Sequence, residues 1–187
     1  MLEQTIATFL DDLAARSAAP GGGAVSALTV AMSAGLVGMA ARFSDEYMES
    51  AHDLADKADV VRAQVGPLAQ ADADAYRGLL AALRLPRDEP NREETIAAAS
   101  QEAADVPLEI SAYAAEVALI AAQISREGNP NLQGDAIAAA LIAAAAARAC
   151  ANLVRINLDA SAEEFGKASE HARVADAAAG RAFAAQL

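Results

Sequence analysis

Two carboxylates and a nearby phenol are the side chains with the best placement for chemistry. Asp72 and Tyr76 lie four residues apart in a helical pattern, so they share one face of the helix. Asp135 follows Gly134 and precedes twelve uncharged residues, 136–147. A carboxylate at the mouth of a buried helix can act as a general base or as a counter-charge for a cationic ligand. A solvated stripe explains the first pair equally well, and a plain N-cap explains Asp135.

A run of glycines near the N-terminus is a candidate for binding through the backbone. Pro20 is followed by Gly21, Gly22 and Gly23, and an uncharged helical pattern continues to Ala41. Glycine admits positive φ, and the first N–H groups of a helix have no internal partner. A turn that leads into a helix N-terminus can therefore accept an anion. A flexible lead-in to the helix explains the same residues without any ligand.

Polar residues at the end of the apolar helix form one further stripe. Arg148, Asn152, Arg155 and Asp159 follow one another at steps of four, three and four residues, which places them on one face. Solvent exposure explains this stripe as easily as ligand binding does.

The elements that must position these residues are helices. The 187 residues include 54 alanines, no tryptophan and 4% aromatic residues. Alanine is the best helix former and a poor strand former, so the composition predicts an all-α protein of one domain. Because such a core has little bulk, we also expect helices to pack across the interface of a homo-oligomer.

Breaks in the periodicity divide the chain into a bundle of about six helices, some of them long and kinked. Pro67 should bend or split the third helix, and Pro107 should break the fourth. Asn91 with Glu94 has the spacing of a capping box at the start of the fourth helix. The predicted ranges are 5–16, 24–43, 46–83, 91–127, 133–158 and 161–184.

Composition excludes several classes of function. The net charge of −12 and the lack of a basic run argue against nucleic-acid binding. The uncharged stretch 20–41 is long enough to span a bilayer, but its Ala, Gly, Ser and Thr residues favour a helix buried in a bundle. Cys150 is the only cysteine, which favours the cytoplasm. His52 and His171 have no second ligand at metal spacing, so we expect no metal.

Five segments resemble the methenyltetrahydrofolate cyclohydrolase and formiminotetrahydrofolate cyclodeaminase family, whose second branch is the C-terminal half of formiminotransferase-cyclodeaminase. Each segment is weak alone, but their common order and spacing are specific, and the resemblance spans nearly all of 1–187. The segments are Ala15–Gly23, Ala71–Tyr76 with Leu83–Pro86, Val106–Glu109, Gly128–Asn129 with Asp135, and Asn152–Leu158.

The resemblance implies an all-α, homodimeric enzyme of one-carbon metabolism that uses no metal or cofactor beyond its tetrahydrofolate substrate. One branch hydrolyses the cyclic methenyl bridge to the formyl form. The other branch closes formiminotetrahydrofolate to the methenyl form and releases ammonia. A carboxylate beside the cationic methenyl group would hold it and could deprotonate an attacking water. We expect Asp135 in that role, with Asp72 second and Tyr76 as an orienting donor.

The resemblance also implies which residues bind the folate. The backbone of 21–23 and Asn129 would bind the pterin or the oxygen of the transferred carbon. Arg155 would pair with the glutamate carboxylate, because a guanidinium can bind it through two hydrogen bonds. Three residues of the same motifs complete the expected binding set: Pro20, Asn152 and Asn157.

The chain departs from the family pattern at three places. Ala24 follows the glycines where the family usually has serine, and Gly134 stands where a serine commonly precedes the aspartate. Asp45 and Glu46 stand where relatives usually have a short basic cluster, which suits anionic folate tails.

Three functions therefore remain open. The cyclohydrolase leads, because the chain contains no formiminotransferase half that would supply the formimino compound. A cyclodeaminase that works with a separate formiminotransferase is second. A folate-binding homologue without catalysis is third, and the three departures make it credible.

Overall fold

Seven α-helices make up the protein, and no strand occurs within residues 1–185, the part of the chain that the computed structural model describes. This confirms the predicted all-α class. A short 3-10 turn, Pro130–Leu132, precedes the sixth helix. The helices are α1 Ile6–Ala14, α2 Gly22–Arg42, α3 Ala51–Val65, α4 Leu68–Leu83, α5 Arg92–Glu127, α6 Gln133–Asn157 and α7 Glu163–Ala184.

The predicted third helix, 46–83, is two helices in the structure. Helix α3 ends at Val65 and α4 begins at Leu68, with Pro67 between them as the N-cap of α4. A proline has no N–H to donate, and its ring clashes with the preceding turn of a helix. This split is the reason for seven helices rather than six.

Pro107 does not break α5, contrary to the prediction. The helix is continuous through this position, and the side chain of Pro107 is fully buried. A helical proline leaves the carbonyl four residues earlier without its N–H donor, and here that carbonyl belongs to Ala103. The side-chain Nδ2–H of Asn157 donates to the Ala103 oxygen at 2.6 Å. Helix α6 thus supplies the hydrogen bond that Pro107 cannot make.

The capping box predicted at the start of α5 is also absent. The helix does begin directly after Asn91, but the Asn91 side chain makes no capping hydrogen bond. Its φ of 64° is left-handed, whereas a capping box requires an N-cap residue with extended backbone.

Helices α2 and α6 lie side by side and run in opposite directions. A Cβ placed on Gly22, at the start of α2, would lie 3.7 Å from Cδ1 of Leu153, near the end of α6. Beyond the other end of α2, the hydroxyl of Ser44 accepts a hydrogen bond from the backbone N–H of Asn129 at 2.9 Å. The beginning of α2 is therefore level with the end of α6.

Three segments, Gly22–Arg42, Arg92–Glu127 and Pro130–Asn157, are long and apolar enough to cross a membrane by length and composition. In the folded chain, 56% to 61% of their most apolar windows is buried inside the bundle. Helix α2 packs against α3, α4, α5 and α6, as predicted for a helix in the middle of a bundle.

Candidate active site

A cleft of about 290 Å³ opens where the first turn of α2 meets α4 and the end of α6. Its volume is close to the lower end of the range for small-molecule sites. It contains the glycine run, both candidate side chains of α4 and one asparagine of the last motif. The lining residues are Ala18, Ala19, Gly21, Gly22, Gly23, Asp72, Tyr76, Ala103, Leu153, Ile156 and Asn157.

The carboxylate of Asp72 caps the N-terminus of α2. Its Oδ2 accepts a hydrogen bond from the backbone N–H of Ala24 at 3.0 Å. The N-cap of α2, Gly21, makes no side-chain capping hydrogen bond, so α4 provides the cap. Burial raises the pKa of Asp72 above its ordinary value, and the hydrogen bond from Ala24 opposes that rise. The carboxyl group is thus poised closer to neutrality than an exposed aspartate.

Gly23 is the glycine that this arrangement requires. A Cβ at Gly23 would lie only 1.8 Å from Oδ1 of Asp72, whereas a Cβ at Gly21 would have no neighbour within 4 Å. None of the described glycines has a positive φ. The expected use of left-handed backbone is therefore wrong. Here glycine provides room for a carboxylate to reach the helix terminus.

Tyr76 and Asn157 line the cleft beside Asp72. Tyr76 lies one helical turn after Asp72 on the same face of α4, and its side chain is exposed. The amide nitrogen of Asn157 is held by the carbonyl of Ala103, which fixes the orientation of the amide because a carbonyl can only accept. Within residues 1–185 the Asn157 side chain makes no other hydrogen bond, and its Oδ1 is not enclosed. That oxygen is available to a ligand.

Four of the expected binding residues lie outside this lining, and three of them lie beside the cleft. Arg155 donates from Nη2 to Oδ1 of Asn152 at 3.0 Å, and both residues are exposed. The polar stripe is thus a solvated surface beside the cleft. Pro20, joined to Ala19 by a cis peptide bond, lines an adjacent recess of about 310 Å³ that also contains Arg77.

Asn129 lies at the other end of the bundle. Its backbone N–H donates to Ser44, its Nδ2–H donates to the carbonyl of Phe43, and its Oδ1 accepts from the N–H of Asn131. Helix α2 separates this loop from the glycine run by roughly 30 Å, at 1.5 Å per residue. All three contacts serve the loop between α5 and α6.

Asp135 also lies far from the cleft of its own chain. It is half-buried in the first turn of α6, whose N-cap is Leu132 rather than Asp135. Along α6, Asp135 and Leu153 are about 27 Å apart. The expected pocket in which Asp135 faces the glycine run therefore does not form within one chain. Asp45 and Glu46, which follow α2, lie at this same distant end.

The sequence did not indicate the apolar wall of the cleft, formed by Leu153 and Ile156, or the buried pair Ser26 and Cys150 behind it. In the sequence, Leu153 and Ile156 cannot be distinguished from the other apolar residues of α6. The available signal was the spacing of Leu153, which precedes Asn157 by one helical turn and so lies on the same face. Behind the wall, Ser26 donates to the carbonyl of Gly22 at 2.8 Å. Burial raises the pKa of the Cys150 thiol to about 12, against an opposing hydrogen bond with Ser26. This thiol is protonated and unreactive at neutral pH.

The histidines contribute no metal site. Within residues 1–185, no group of three or more His, Cys, Asp or Glu side chains could hold a metal ion. His52 is exposed beside Asp56. Nδ1 of His171 forms a hydrogen bond of 2.8 Å with the buried hydroxyl of Ser111, which joins α7 to α5.

The fold and the cleft therefore define a class of protein: an all-α bundle in which one half-buried carboxylate, a phenol and a helix N-terminus surround a cleft of small-molecule size. These groups can exchange protons with a ligand and bind its polar atoms. The family model described as formiminotransferase-cyclodeaminase matches residues 5–176, and the chain belongs to this family.

Two relatives illustrate the range of the family. The chain is 34% identical to a methenyltetrahydrofolate cyclohydrolase of Methylorubrum extorquens over 82% of this chain and 79% of that protein. It is 28% identical to a formimidoyltransferase-cyclodeaminase of Mus musculus over 93% of this chain. That alignment covers only 34% of the mouse protein.

A solved structure has the same fold. The crystal structure of a formiminotetrahydrofolate cyclodeaminase from Thermotoga maritima superposes with a TM-score of 0.88. The match covers 98% of this chain and 96% of the other, at 24% sequence identity.

Proposed function

We propose that this protein hydrolyses 5,10-methenyltetrahydrofolate to 10-formyltetrahydrofolate, with Asp72 as the general base. The observation that carries the proposal is the half-buried Asp72 carboxylate in the cleft, whose pKa is raised and whose Oδ1 has no hydrogen bond among residues 1–185. Support for the substrate class comes from membership of the family and from the Methylorubrum relative.

In the proposed reaction, Asp72 holds the methenyl cation and accepts a proton from water as the water oxygen bonds to the methenyl carbon. The bond between that carbon and N5 then breaks. The proton passes from Asp72 to N5, the hydroxyl of the tetrahedral intermediate releases its remaining proton to solvent, and the formyl group remains on N10. Acid–base groups in good positions accelerate such steps by about 10²–10⁴-fold.

Other groups in the cleft would bind the reacting atoms. The N–H groups of Gly22 and Gly23 belong to the first turn of α2, which has no intrahelical partners for them, and can donate to the oxygen of the tetrahedral intermediate. Tyr76 would orient the water, and Oδ1 of Asn157 can accept from an N–H group of the pterin.

Asp72→Asn tests the role of the carboxylate. The amide oxygen can still accept from Ala24, so the fold should survive while the base is lost. We expect the rate of loss of the methenyl absorbance to fall about 10²–10⁴-fold. Asp74→Asn is the matched control, because Asp74 is exposed on the same helix and pairs with Arg77 and Gln70. Equal rates for Asp72→Asn and wild type would contradict the proposal.

A formiminotetrahydrofolate cyclodeaminase is the second candidate. The mouse relative, whose name includes this activity, aligns over 93% of this chain, and the same acid–base groups could protonate departing ammonia. In this case a separate formiminotransferase would be the partner. Release of ammonia from formiminotetrahydrofolate, measured beside loss of the methenyl absorbance, separates the two reactions.

A folate-binding homologue without catalysis is the third candidate. The departures at Ala24, Gly134 and Asp45–Glu46 favour it. It predicts that a folate raises the melting temperature of the protein while neither turnover assay responds.

The proposal also includes the assembly and the compartment. We expect a homodimer in the cytoplasm that needs no metal or cofactor and binds neither nucleic acid nor membrane. The exposed apolar side chains Met32, Leu141 and Ile142 on α2 and α6 favour the dimer, since a second copy would remove them from water.

A further inference from the structure

One asparagine in the wall of the cleft has its amide held in a single orientation. The Nδ2–H of Asn157 donates to the carbonyl oxygen of Ala103 at 2.6 Å. Because a carbonyl can only accept, the amide nitrogen faces Ala103 and Oδ1 lies on the other side of the amide group. Both residues line the cleft, and Oδ1 is not enclosed by the protein. The cleft therefore presents a hydrogen-bond acceptor at this point of its wall.

A buried proline is the reason that this carbonyl accepts from another helix. In a regular α-helix, the carbonyl of residue 103 would accept from the backbone N–H of residue 107. Pro107 has no N–H, and a proline ring clashes with the carbonyl four residues before it. Pro107 is fully buried, and α5 continues on both sides of it. Ala103 is only 4% exposed, so its oxygen needs a donor from the protein.

Nothing else in the cleft fixes the amide of Asn157. Among residues 1–185, the contact with Ala103 is the one hydrogen bond of its side chain. Its nearest neighbours in the lining on α6, Leu153 and Ile156, are apolar and offer no polar group. The orientation of the Asn157 amide therefore depends on the Ala103 carbonyl, and through that carbonyl on residue 107.

We propose that Pro107 is a positioning residue for substrate binding: through the Ala103 carbonyl, it holds Oδ1 of Asn157 toward the cleft, where this oxygen accepts from an N–H group of a reduced pterin ring. The identity of the ligand rests on the proposed function. A reduced pterin has N–H groups on its ring and a 2-amino group, and each needs an acceptor when it leaves water. An acceptor that is already fixed binds such a group without the entropic cost of ordering its side chain.

A purely structural role of the same contact would change stability alone. A positioning role also changes ligand affinity, and it does so only while residue 157 carries an amide. The two roles are therefore separated by measuring affinity in wild type, Pro107→Ala, Asn157→Ala and the double variant. In the Asn157→Ala background, Pro107→Ala should have almost no effect on the Kd, because the residue through which it acts is absent.

The probe is 5-formyltetrahydrofolate, a stable folate with the same pterin N–H groups, and isothermal titration calorimetry measures its Kd. Asn157→Ala leaves a ligand N–H without its acceptor and should weaken binding at least about fivefold. Pro107→Ala gives the Ala103 carbonyl a donor within α5 and releases the Asn157 amide. Binding must then order this side chain again, so we expect the affinity to fall about 2–10-fold. An equal effect of Pro107→Ala with and without Asn157 would overturn the proposal.

Two control variants separate positioning from a general disturbance of α5. Pro107→Val also restores the N–H and keeps more of the bulk of the ring than alanine does, so it should weaken binding as Pro107→Ala does. Leu108→Ala shortens a partly buried neighbour but leaves Pro107 in place. It should lower the melting temperature while the Kd stays at the wild-type value. A loss of affinity in Leu108→Ala as large as that in Pro107→Ala would overturn the proposal.

Turnover distinguishes a failure of this inference from a failure of the proposed function. Pro107→Ala should raise the KM for 5,10-methenyltetrahydrofolate about 2–10-fold with little change in kcat, because Asn157 binds the ring rather than the reacting carbon. If wild type turns over neither folate but the coupling in Kd is found, the proposed function fails and the positioning role stands. If wild type is active but Pro107→Ala has the wild-type Kd, the positioning role is overturned and the proposed function stands. Wild type that does not bind 5-formyltetrahydrofolate would also overturn the positioning role.

Discussion

The hydrogen bond from Asn157 to the carbonyl of Ala103 links a proline in α5 to the candidate site, and it can be tested by a double-mutant cycle. In the wild type, Pro107 cannot donate to this carbonyl, so Asn157 does so at 2.6 Å. Asn157→Ala removes the donor and leaves the Ala103 oxygen without its partner. Such a loss costs about 1–3 kcal/mol of unfolding free energy.

The same substitution should cost far less when residue 107 is alanine. Pro107→Ala restores the helical N–H, which can then donate to Ala103 within α5. In this background Asn157 is no longer needed, and its removal should cost less than about 1 kcal/mol. The coupling between the two positions should therefore be about 1–2 kcal/mol.

Urea denaturation followed by circular dichroism measures the four free energies of the cycle. The effect of Pro107→Ala alone is not diagnostic, because the regained helical bond is offset by lost packing of a buried ring. Asn152→Ala is the matched control: Asn152 lies on the same helix but is exposed and contacts Arg155. Asn152→Ala should lower the unfolding free energy by close to zero in both the Pro107 and the Pro107→Ala backgrounds. Equal costs of Asn157→Ala in both backgrounds would refute the reasoning.

Three further predictions follow from the site. Gly23→Ala should displace the Asp72 carboxylate, whose Oδ1 lies 1.8 Å from the added Cβ, and should lower the unfolding free energy by about 1–3 kcal/mol. By contrast, Gly22→Ala should be neutral or stabilising by up to about 1 kcal/mol in the same urea titration, because alanine favours the helix. The raised pKa of Asp72 means that the folded state holds its proton more tightly than the unfolded state, so stability falls as the pH rises from 3.8 toward the folded pKa. To measure this, melting curves of wild type and of Asp72→Asn are recorded between pH 3 and 7, roughly the titration range of a perturbed aspartate. The difference between wild type and variant should show the stability of the wild type falling with pH, and a rise would contradict the prediction. Finally, Cys150 should resist iodoacetamide in the native protein at pH 8 and react after unfolding, because burial raises the pKa of its thiol to about 12. Mass spectrometry measures the labelling. Rapid labelling of the native protein would contradict the burial of Cys150.

Much of the site could be predicted because its spacing is local. Asp72 and Tyr76 share a face because residues four apart on any helix do so, and the structure places both in the cleft. The glycine run was also correctly placed at a helix N-terminus. The sequence could not predict why residue 23 must be glycine, since the space is needed by the carboxylate of Asp72. Asp72 caps Ala24, from which it is 48 residues away in the chain.

The sequence alone determined that the protein is helical, roughly where each helix begins and ends, and which residues share a face. These properties depend on neighbours within one or two turns. Only the tertiary structure decided which helix ends meet. Because α2 and α6 run antiparallel, the glycine run lies beside Asn157, while Asn129 and Asp135 lie at the far end. Helices with small side chains pack closely in either direction, so their periodicity carries little information about that choice.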